Sequence, residues 1–171
     1  MSRIIGISGK MGSGKDTLAK YINDIDPSFK IRHFADPLKE CVQQLIKSPD
    51  LHTQSGKKYY IEWLGMTARE LLQKFGTAIR EGVDSDFWVK LLLNNSKNED
   101  IIIADVRFPN EVKAIKEAGG IIVRIERKNI EISSHISETA LDNYKDWDMT
   151  IINDYDLDSL KRSAHYILNN L

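Results

Sequence analysis

A glycine-rich segment near the start of the sequence has the spacing of a phosphate-binding loop. In GKMGSGKDT, four residues separate Gly9 from the pair Gly14-Lys15, after an apolar run and before a helical pattern. Glycines let the backbone curl closely around a ligand, and the N–H groups of such a loop, with the following helix N-terminus, attract an anion. Lys15 would reach the β- and γ-phosphates of a nucleotide. The alternative is a glycine-rich turn beside a surface lysine.

Asp16 stands where the usual loop pattern has Ser or Thr, and the hydroxyl follows one place later, at Thr17. A bare carboxylate would repel a triphosphate, whereas a carboxylate beside Mg²⁺ would not, because Mg²⁺ takes oxygen ligands and keeps several waters. We therefore expect Asp16 to face a magnesium ion, directly or through water, and the Thr17 hydroxyl to meet the α-phosphate. Alternatively, Asp16 is a first-turn acid that only complements the helix dipole.

The elements that must position this loop alternate along the chain. Short apolar or β-branched runs predict strands at 3–8, 30–35, 100–106, 121–126 and 149–154. Amphipathic patterns predict helices at 14–24, 36–47, 67–82, 85–97, 109–120 and 156–171. This order predicts a single α/β domain over residues 1–171, with a parallel sheet covered by helices on both faces. Two irregular excursions, 48–66 and 128–147, interrupt it, and we expect the first to be mobile.

Local signals refine these helices. Asp36 and Pro37 predict an N-cap and a first helical residue. Thr67 with Glu70 predicts a capping box, and Gly76 is expected to break or bend the same helix. Cys41 lies among helix-forming residues and is interpreted as a core residue.

Residues that could do chemistry cluster just after predicted strands, where ligands bind in parallel α/β sheets. Asp36 follows the strand at 30–35, Arg127 follows that at 121–126, and Asp105 and Arg107 come after the apolar stretch at 100–104. Asp105 and Arg107 are two residues apart, a spacing that points side chains to one side of a strand. Asp105 could orient Arg107 or accept a metal-bound water. The alternative is a structural ion pair.

The bulk composition limits the partners. The 171 residues carry 24 basic and 25 acidic side chains, a net charge of −1, and 42% are apolar. This balance gives no field to hold DNA, RNA or an anionic membrane, so we expect neither nucleic-acid nor membrane binding. One cysteine cannot form an internal disulfide, the chain enters a strand too early for a signal peptide, and no apolar run approaches the roughly 20 residues that span a bilayer. We expect a cytoplasmic protein, and a homodimer stays open.

Three further segments resemble the deoxynucleoside monophosphate kinases of the bacteriophage type. They are FGTAIREGVDSDFWVKLL, IIIADVRFPNEVKAIKEAGGIIVRIERK and SHISETALDNYKDWDMTIINDYDLDSL. Together with Gly-Lys-Asp-Thr they follow the order of that family's blocks over most of residues 3–160, although the excursion at 48–66 is shorter than in its larger members. The loop also resembles that of nucleoside monophosphate kinases, whose threonine is displaced in the same way. The resemblance implies a three-layer αβα P-loop NTPase fold with a five-stranded parallel sheet.

The resemblance also implies roles for individual residues. The donor phosphates would be held by Gly9, Lys10, Met11, Gly12, Ser13, Gly14, Lys15, Asp16 and Thr17. The acceptor side would include Asp36, Arg69, Arg80, Trp88, Asp105, Arg107, Glu111 and Glu138, and Arg127 would lie near the donor or a lid. Other interpretations stay open: a first-turn dipole acid for Glu111, a core residue for Trp88, and solvated loop residues for His135 and Glu138.

These residue types suit phosphoryl transfer. The acceptor phosphate is already an anion, so the reaction needs alignment and positive charge rather than a general base. Lys15, Arg80, Arg107 and Arg127, with Asp105, are the predicted catalytic residues, and Arg suits phosphate because its planar fork engages two oxygens.

The expected function is a magnesium-dependent transfer of the ATP γ-phosphate to a (deoxy)nucleoside monophosphate, a small-molecule substrate. Two alternatives are a kinase for another phosphometabolite such as phosphomevalonate, and a P-loop NTPase without a small acceptor. Aromatic and basic residues at 57–63 would form either a nucleotide lid or a loop folded on the core.

Overall fold

The computed structural model describes residues 2–128, 130 and 136–171. The chain divides into two compact units, which are described separately: unit 1 comprises Met1–His33 and Ser96–Leu171, and unit 2 comprises Phe34–Asn95. In chain order the elements are β1 (Ile4–Ser8), α1 (Lys15–Ile25), β2 (Phe29–Arg32), α2 (Asp36–Ile46), α3 (Gln54–Lys57), β3 (Tyr60–Ile61), β4 (Met66–Thr67), α4 (Ala68–Gly82), α5 (Phe87–Asn95), β5 (Asp100–Val106), α6 (Pro109–Glu117), β6 (Ile121–Glu126), α7 (Ile136–Thr139), β7 (Met149–Ile152) and α8 (Leu157–Leu168).

Unit 1 contains the predicted five-stranded parallel sheet, in the order β2-β5-β1-β6-β7. Its centre is apolar because isoleucine predominates in β1 (IIGIS) and in the middle of β5 (DIIIADV), as expected for strands covered on both faces. Parallel order brings the carboxyl ends of all five strands to one edge. The predicted α/β fold with a parallel sheet is confirmed.

Helices cover both faces of this sheet. On one face, Leu18 and Ile22 of α1 and Leu160 of α8 share a buried cluster with Ile5 of β1. On the other face α6 packs so closely that a Cβ on Gly6 would lie 2.8 Å from the Ile115 side chain. The glycine therefore allows α6 to approach the central strand, and unit 1 has three layers.

Unit 2 packs its helices around a smaller core. Val42 of α2, Leu51, Ile61 of β3 and Ala68 of α4 are buried together. The segment predicted to be a mobile excursion at 48–66 contains α3 and the antiparallel β3–β4 pair, joined by a 3₁₀ turn at Glu62–Leu64. These short elements follow no strong periodicity, which explains why the sequence did not predict them.

The helix ends and the exposure of Cys41 in unit 2 agree only in part with the local predictions. Thr67 and Glu70 form the predicted capping box. The N-cap of α2 is Ala35, with Asp36 inside the first turn, so the prediction of Asp36 as N-cap was wrong. Cys41 is exposed on α2, and its interpretation as a core residue was also wrong.

Gly76 neither ends nor interrupts α4, which runs through it, so the expected break was wrong. A Cβ at this position would lie 2.9 Å from Leu38 Cδ2. The glycine instead allows α2 and α4 to pack closely.

Element boundaries shifted by a few residues. The strand predicted at 30–35 is β2, which ends at Arg32, and that predicted at 149–154 ends at Ile152. The helix predicted at 85–97 is the shorter α5. In the excursion predicted at 128–147, the described part includes α7. Within the described residues, no helix is long and apolar enough to cross a membrane.

Candidate active site

The loop between β1 and α1 takes a backbone path that needs its glycines. Gly12 and Gly14 have φ values of 78° and 101°, a left-handed region that side chains disfavour. A Cβ on Gly9 would lie 2.6 Å from the Ile125 carbonyl oxygen of β6. The loop thus curls tightly against the sheet edge, as the Gly-x4-Gly-Lys spacing predicts.

Lys15 folds back over this loop. Its Nζ donates to the carbonyl oxygens of Gly9, at 2.7 Å, and Lys10, at 2.8 Å, and the residue is only 8% exposed. Burial lowers the pKa of the Lys15 ammonium, and the nearby Arg107 guanidinium lowers it further, against the opposing charges of Glu138 and Asp16. An anion bound here would offset the cost of the desolvated charge.

Ser13 adds a second feature inside the loop. The residue is fully buried, and its hydroxyl oxygen has no hydrogen-bond partner among the described residues. A buried hydroxyl without a partner is costly. This orphaned group, together with Lys15, fits a polar ligand seated in the loop.

Asp16 lies in the first turn of α1 and its side chain is 88% exposed, 3.7 Å from the Nε2 of His33. Thr17, one residue further, is half-buried. No group of three or more His, Cys, Asp or Glu that could cage a metal occurs among the residues described. Mg²⁺ commonly uses only one or two carboxylates with phosphate oxygens and waters, so an exposed Asp16 carboxylate beside the loop fits such an ion.

Asp105 and Arg107 lie at the carboxyl end of β5, at the same sheet edge as the loop, and both are half-buried. Glu111 of α6 is 5% exposed, and its carboxylate accepts from the backbone N–H groups of Arg107, at 2.6 Å, and Phe108, at 3.0 Å. These contacts support the interpretation of Glu111 as a local first-turn acid that fixes the backbone at Arg107. Its contact with an acceptor stays a prediction.

Glu138 of α7 meets the loop from another direction. Its carboxylate accepts from the Met11 N–H, at 2.7 Å, and from Nη1 of Arg107. Its backbone carbonyl accepts from Lys10 Nζ at 2.6 Å. Arg127, just after β6, reaches the Gly12 carbonyl oxygen at 3.4 Å. The structure therefore brings Lys10, Met11, Lys15, Arg107 and Glu138 together, and His135 lies outside the described residues.

A model of the deoxynucleotide monophosphate kinase family matches residues 57–164. The chain is also 34% identical, over 170 residues, to the "Putative deoxynucleotide monophosphate kinase" of Acanthamoeba polyphaga mimivirus, in an alignment that covers 88% of each chain. The chain belongs to the deoxynucleotide monophosphate kinase family. It is a nucleoside monophosphate kinase, so it uses ATP and acts on a small-molecule nucleotide.

Other similarities agree with this family. The "Uncharacterized protein ORF77" of Ictalurid herpesvirus 1 (strain Auburn) is 30% identical over 155 residues, which cover 83% of this kinase and 60% of that protein. Among solved structures, shikimate kinase from Aquifex aeolicus has a TM-score of 0.58 at 14% identity, covering 98% of this chain and 96% of that one. Dephospho-CoA kinase from Campylobacter jejuni has a TM-score of 0.54 at 14% identity, covering 98% and 97%. At such identities the structures show the fold alone.

The other predicted acceptor residues of this kinase lie in unit 2. Asp36 accepts from Lys39 Nζ at 2.9 Å and lies 3.4 Å from His52 Nδ1. Arg69, at the start of α4, donates to Gln54 Oε1 at 3.0 Å, while Arg80 is exposed in the last turn of the same helix. Their roles toward a substrate stay predictions.

Trp88 of α5 is 4% exposed, and its Nε1 donates to the Gly76 carbonyl oxygen at 3.2 Å. Its ring meets Phe87 edge-on, with centroids 5.0 Å apart. This burial favours the core interpretation, and stacking on a substrate base stays a prediction.

Two residues near the loop of the kinase were not found from the sequence. Asn153, just after β7, donates from Nδ2 to the Ser13 carbonyl oxygen at 2.8 Å. Arg124 of β6 has a side chain that is 11% exposed, 3.4 Å from the Ser8 hydroxyl and over the Trp147 ring. Arg124 could have been found from the sequence, because it is an arginine inside a mostly apolar strand. No local pattern marks Asn153 as a residue that contacts the loop.

Lys57, which the sequence placed in a lid or a loop folded on the core, is half-buried in unit 2. Burial lowers the pKa of its ammonium, and the neighbouring cations Lys39 and Arg69 lower it further, against Asp36. Its ammonium makes no hydrogen bond or ion pair with any residue that the structure describes. Two cations and one carboxylate therefore act on the Lys57 ammonium, so positive charge is concentrated locally around it.

Proposed function

We propose that this kinase transfers the γ-phosphate of ATP to the phosphate of a deoxynucleoside monophosphate, in a magnesium-dependent reaction that yields ADP and the deoxynucleoside diphosphate. The observation that carries the proposal is that one carboxylate, Glu138, accepts both from the phosphate loop, at the Met11 N–H, and from the strand-end guanidinium of Arg107, which places Arg107 beside the loop that holds Lys15. Two adjacent cations at one sheet edge suit two phosphate groups rather than one.

The loop accounts for the donor. Its backbone N–H groups, the Lys15 ammonium and the N-terminus of α1 would hold the ATP phosphates in the residues from Gly9 to Thr17. Binding of an anionic phosphate would offset the burial, and the charge of Arg107, that lower the pKa of Lys15. Magnesium would be held through Asp16, and when bound it would neutralise charge on the phosphate oxygens.

Cations at the sheet edge account for the acceptor. Arg107 follows β5 with its backbone fixed by Glu111. A guanidinium so held could engage two oxygens of the acceptor phosphate. Arg127, which reaches the loop at Gly12, would stabilise charge on the transferring group from the donor side. Asp105, half-buried beside Arg107, would orient it or accept a metal-bound water.

Unit 2 supports a second phosphate-bearing ligand. Burial lowers the pKa of the Lys57 ammonium, and Lys39 and Arg69 lower it further, against the charge of Asp36, which also pairs with Lys39. An unpaired, partly buried ammonium is stabilised by an anion. We assign Lys57 and Arg69, with Arg80, to binding of the nucleoside monophosphate.

No residue needs to act as a general base in this scheme, because the attacking phosphate oxygen is already anionic. What the chain supplies is alignment of two phosphates and positive charge that spreads over the transferring group. A P-loop NTPase without an acceptor would not need the cations beyond the loop.

The test is a steady-state assay of ADP formation with ATP and each deoxy- and ribonucleoside monophosphate in turn, with and without Mg²⁺, with the products separated by anion-exchange chromatography. We expect ADP to form only when a deoxynucleoside monophosphate and Mg²⁺ are both present, in equal amounts with the diphosphate product. ATP hydrolysis at the same rate without an acceptor would contradict the proposal.

A further inference from the structure

Glu138 joins parts of the kinase that are distant in sequence. Its two carboxylate oxygens accept from different groups: Oε2 from the Met11 N–H, 127 positions away, and Oε1 from Nη1 of Arg107, 31 positions away. The carbonyl oxygen of Glu138 accepts from Lys10 Nζ. One residue of α7 therefore contacts both the phosphate loop and the strand-end arginine.

The burial of this carboxylate makes the contacts specific. The Glu138 side chain is 8% exposed, whereas Asp142, which pairs with the same Lys10, is 43% exposed. A buried carboxylate is costly unless its partners satisfy it. Loss of the Glu138 charge therefore removes a buried anionic acceptor from the Arg107 guanidinium. Loss of the Asp142 charge removes an exposed contact, which water can replace.

Carboxylates hold both the backbone and the side chain of Arg107. Glu111 accepts from its backbone N–H, and Glu138 accepts from its guanidinium. Arginine side chains lose considerable rotational entropy when they are fixed. A guanidinium that is already anchored to the loop loses less of it on meeting a phosphate, and its planar donors keep a fixed direction.

We propose that Glu138 is a positioning residue: its carboxylate anchors Arg107 to the phosphate loop at Met11, so that the acceptor and donor phosphates are aligned with each other. The proposal rests on the proposed role of Arg107 toward the acceptor. It differs from the predicted substrate contact of Glu138, because here the carboxylate acts through Arg107 and the loop.

The test is a double-mutant cycle of Glu138→Gln and Arg107→Ala, with kcat and KM measured for both substrates and ATP affinity measured separately by calorimetry. In the wild-type background, we expect Glu138→Gln to lower kcat about tenfold to a hundredfold, the scale of a small misplacement of reacting groups. ATP affinity should change less than about threefold. In the Arg107→Ala background, Glu138→Gln should cost less than about twofold more, because the two residues act as one unit.

Controls separate this role from damage to the fold. Glu117→Gln removes an exposed carboxylate, 67% exposed and paired with Lys113, and should leave kcat unchanged. Asp142→Asn should have a smaller effect than Glu138→Gln. Hydrogen–deuterium exchange of the peptides that contain Met11 and Arg107 should speed up in Glu138→Gln while the melting temperature stays near that of the wild type.

Each remaining outcome contradicts the positioning role. Equal losses in both backgrounds would mean that Glu138 acts independently of Arg107. A higher kcat or tighter ATP binding in Glu138→Gln would mean that the carboxylate competes with a phosphate for the same donors. Normal kinetics in Glu138→Gln would leave only a structural contact. By contrast, the absence of any acceptor-dependent turnover in the wild type would overturn the proposed function itself.

Discussion

Lys15 of unit 1 and Lys57 of unit 2 share an electrostatic problem. In both, burial lowers the pKa of the ammonium, and neighbouring cations lower it further: Arg107 for Lys15, and Lys39 with Arg69 for Lys57. Each lysine thus lies in a region where positive charge exceeds negative charge. A phosphate would offset that excess in either unit.

The two lysines differ in how the chain holds them. Lys15 Nζ donates to two carbonyl oxygens of its own loop, so its position is set by backbone that the glycines shape. The Lys57 backbone N–H donates to the Thr53 carbonyl oxygen at 3.2 Å, but its side-chain ammonium makes no hydrogen bond or ion pair with the residues described. The difference indicates that the donor cradle is organised in advance, whereas the Lys57 ammonium depends on a ligand for a partner.

Lys15→Met removes the lysine whose position is fixed by its own loop, and it should have the largest effect on activity. Methionine keeps the length and burial of the side chain but removes the charge that stabilises the transferring phosphate. We expect kcat to fall at least about a hundredfold, as for the loss of a key transition-state donor, without loss of the fold. The assay of ADP formation measures this, with Lys20→Met, an exposed residue of α1, as the control. Retained turnover would remove the loop from the mechanism.

Arg107→Ala tests whether the cation beside Lys15 serves the acceptor. We expect kcat/KM for the nucleoside monophosphate to fall about a hundredfold, on the scale of a lost charge-assisted contact, with a much smaller change in ATP binding. Kinetics with each substrate varied in turn provide the measurement. Arg162→Ala, on the exposed surface of α8, is the control, and equal effects on both substrates would contradict the acceptor assignment.

Lys57→Met tests the unit 2 half of the comparison. Loss of one charged partner of a phosphate should raise KM for the nucleoside monophosphate about tenfold, while KM for ATP stays nearly constant. The adjacent, exposed Lys58→Met is a matched control. If KM for the acceptor is unchanged, the ammonium of Lys57 does not bind this substrate.

Asp16→Asn tests whether this carboxylate helps to hold magnesium on the donor side, and its effect on activity should be smaller. If the carboxylate helps to hold magnesium, its loss should raise the Mg²⁺ concentration needed for half-maximal activity about fivefold. The measurement is a magnesium titration of initial rates, with Asp24→Asn at the other end of α1 for comparison. An unchanged titration would return Asp16 to the role of a helix-dipole acid.

The same Lys57 variant should affect stability in a pH-dependent way. The folded-state pKa of Lys57 lies below the ordinary value of 10.5, so below that folded pKa the charged lysine destabilises the fold. Between the two pKa values the unfolded chain holds more protons, and this cost disappears as pH rises. Lys57→Met should therefore unfold at higher denaturant concentration than the wild type at pH 7, and the difference should shrink toward pH 10. A difference that grows with pH would show that the sign is wrong.

Much of unit 1 could be predicted from local sequence, because the determining signals are short. The isoleucine run at 101–103 predicted a central strand, and the spacing of Gly9, Gly14 and Lys15 predicted the loop. In both cases neighbouring residues in the chain determine the structure. In unit 2, the capping box at Thr67 and Glu70 was predicted for the same reason.

Other parts of the site depend on contacts between residues that are distant in sequence, which local sequence patterns do not predict. Glu138 meets Met11 across 127 positions, and the strand order follows from packing of the whole sheet. Cys41 was interpreted wrongly for a related reason. The helix that contains it was predicted correctly, but which side of α2 is buried depends on the packing around that helix, and Cys41 lies on the exposed side. Lys57 was assigned to a lid or a loop, because its pKa is lowered by burial and by the charges of Lys39 and Arg69, which are not its neighbours in sequence.

The amide of Asn153 has a consequence for how the protein is made. It holds the Ser13 carbonyl from 140 positions later in the chain, and it lies so close to Gly14 that a Cβ there would come within 2.5 Å of it. During synthesis on a ribosome, the first strand and its loop emerge long before this brace does. The nascent chain therefore cannot finish the shape of its nucleotide cradle until translation has passed Asn153.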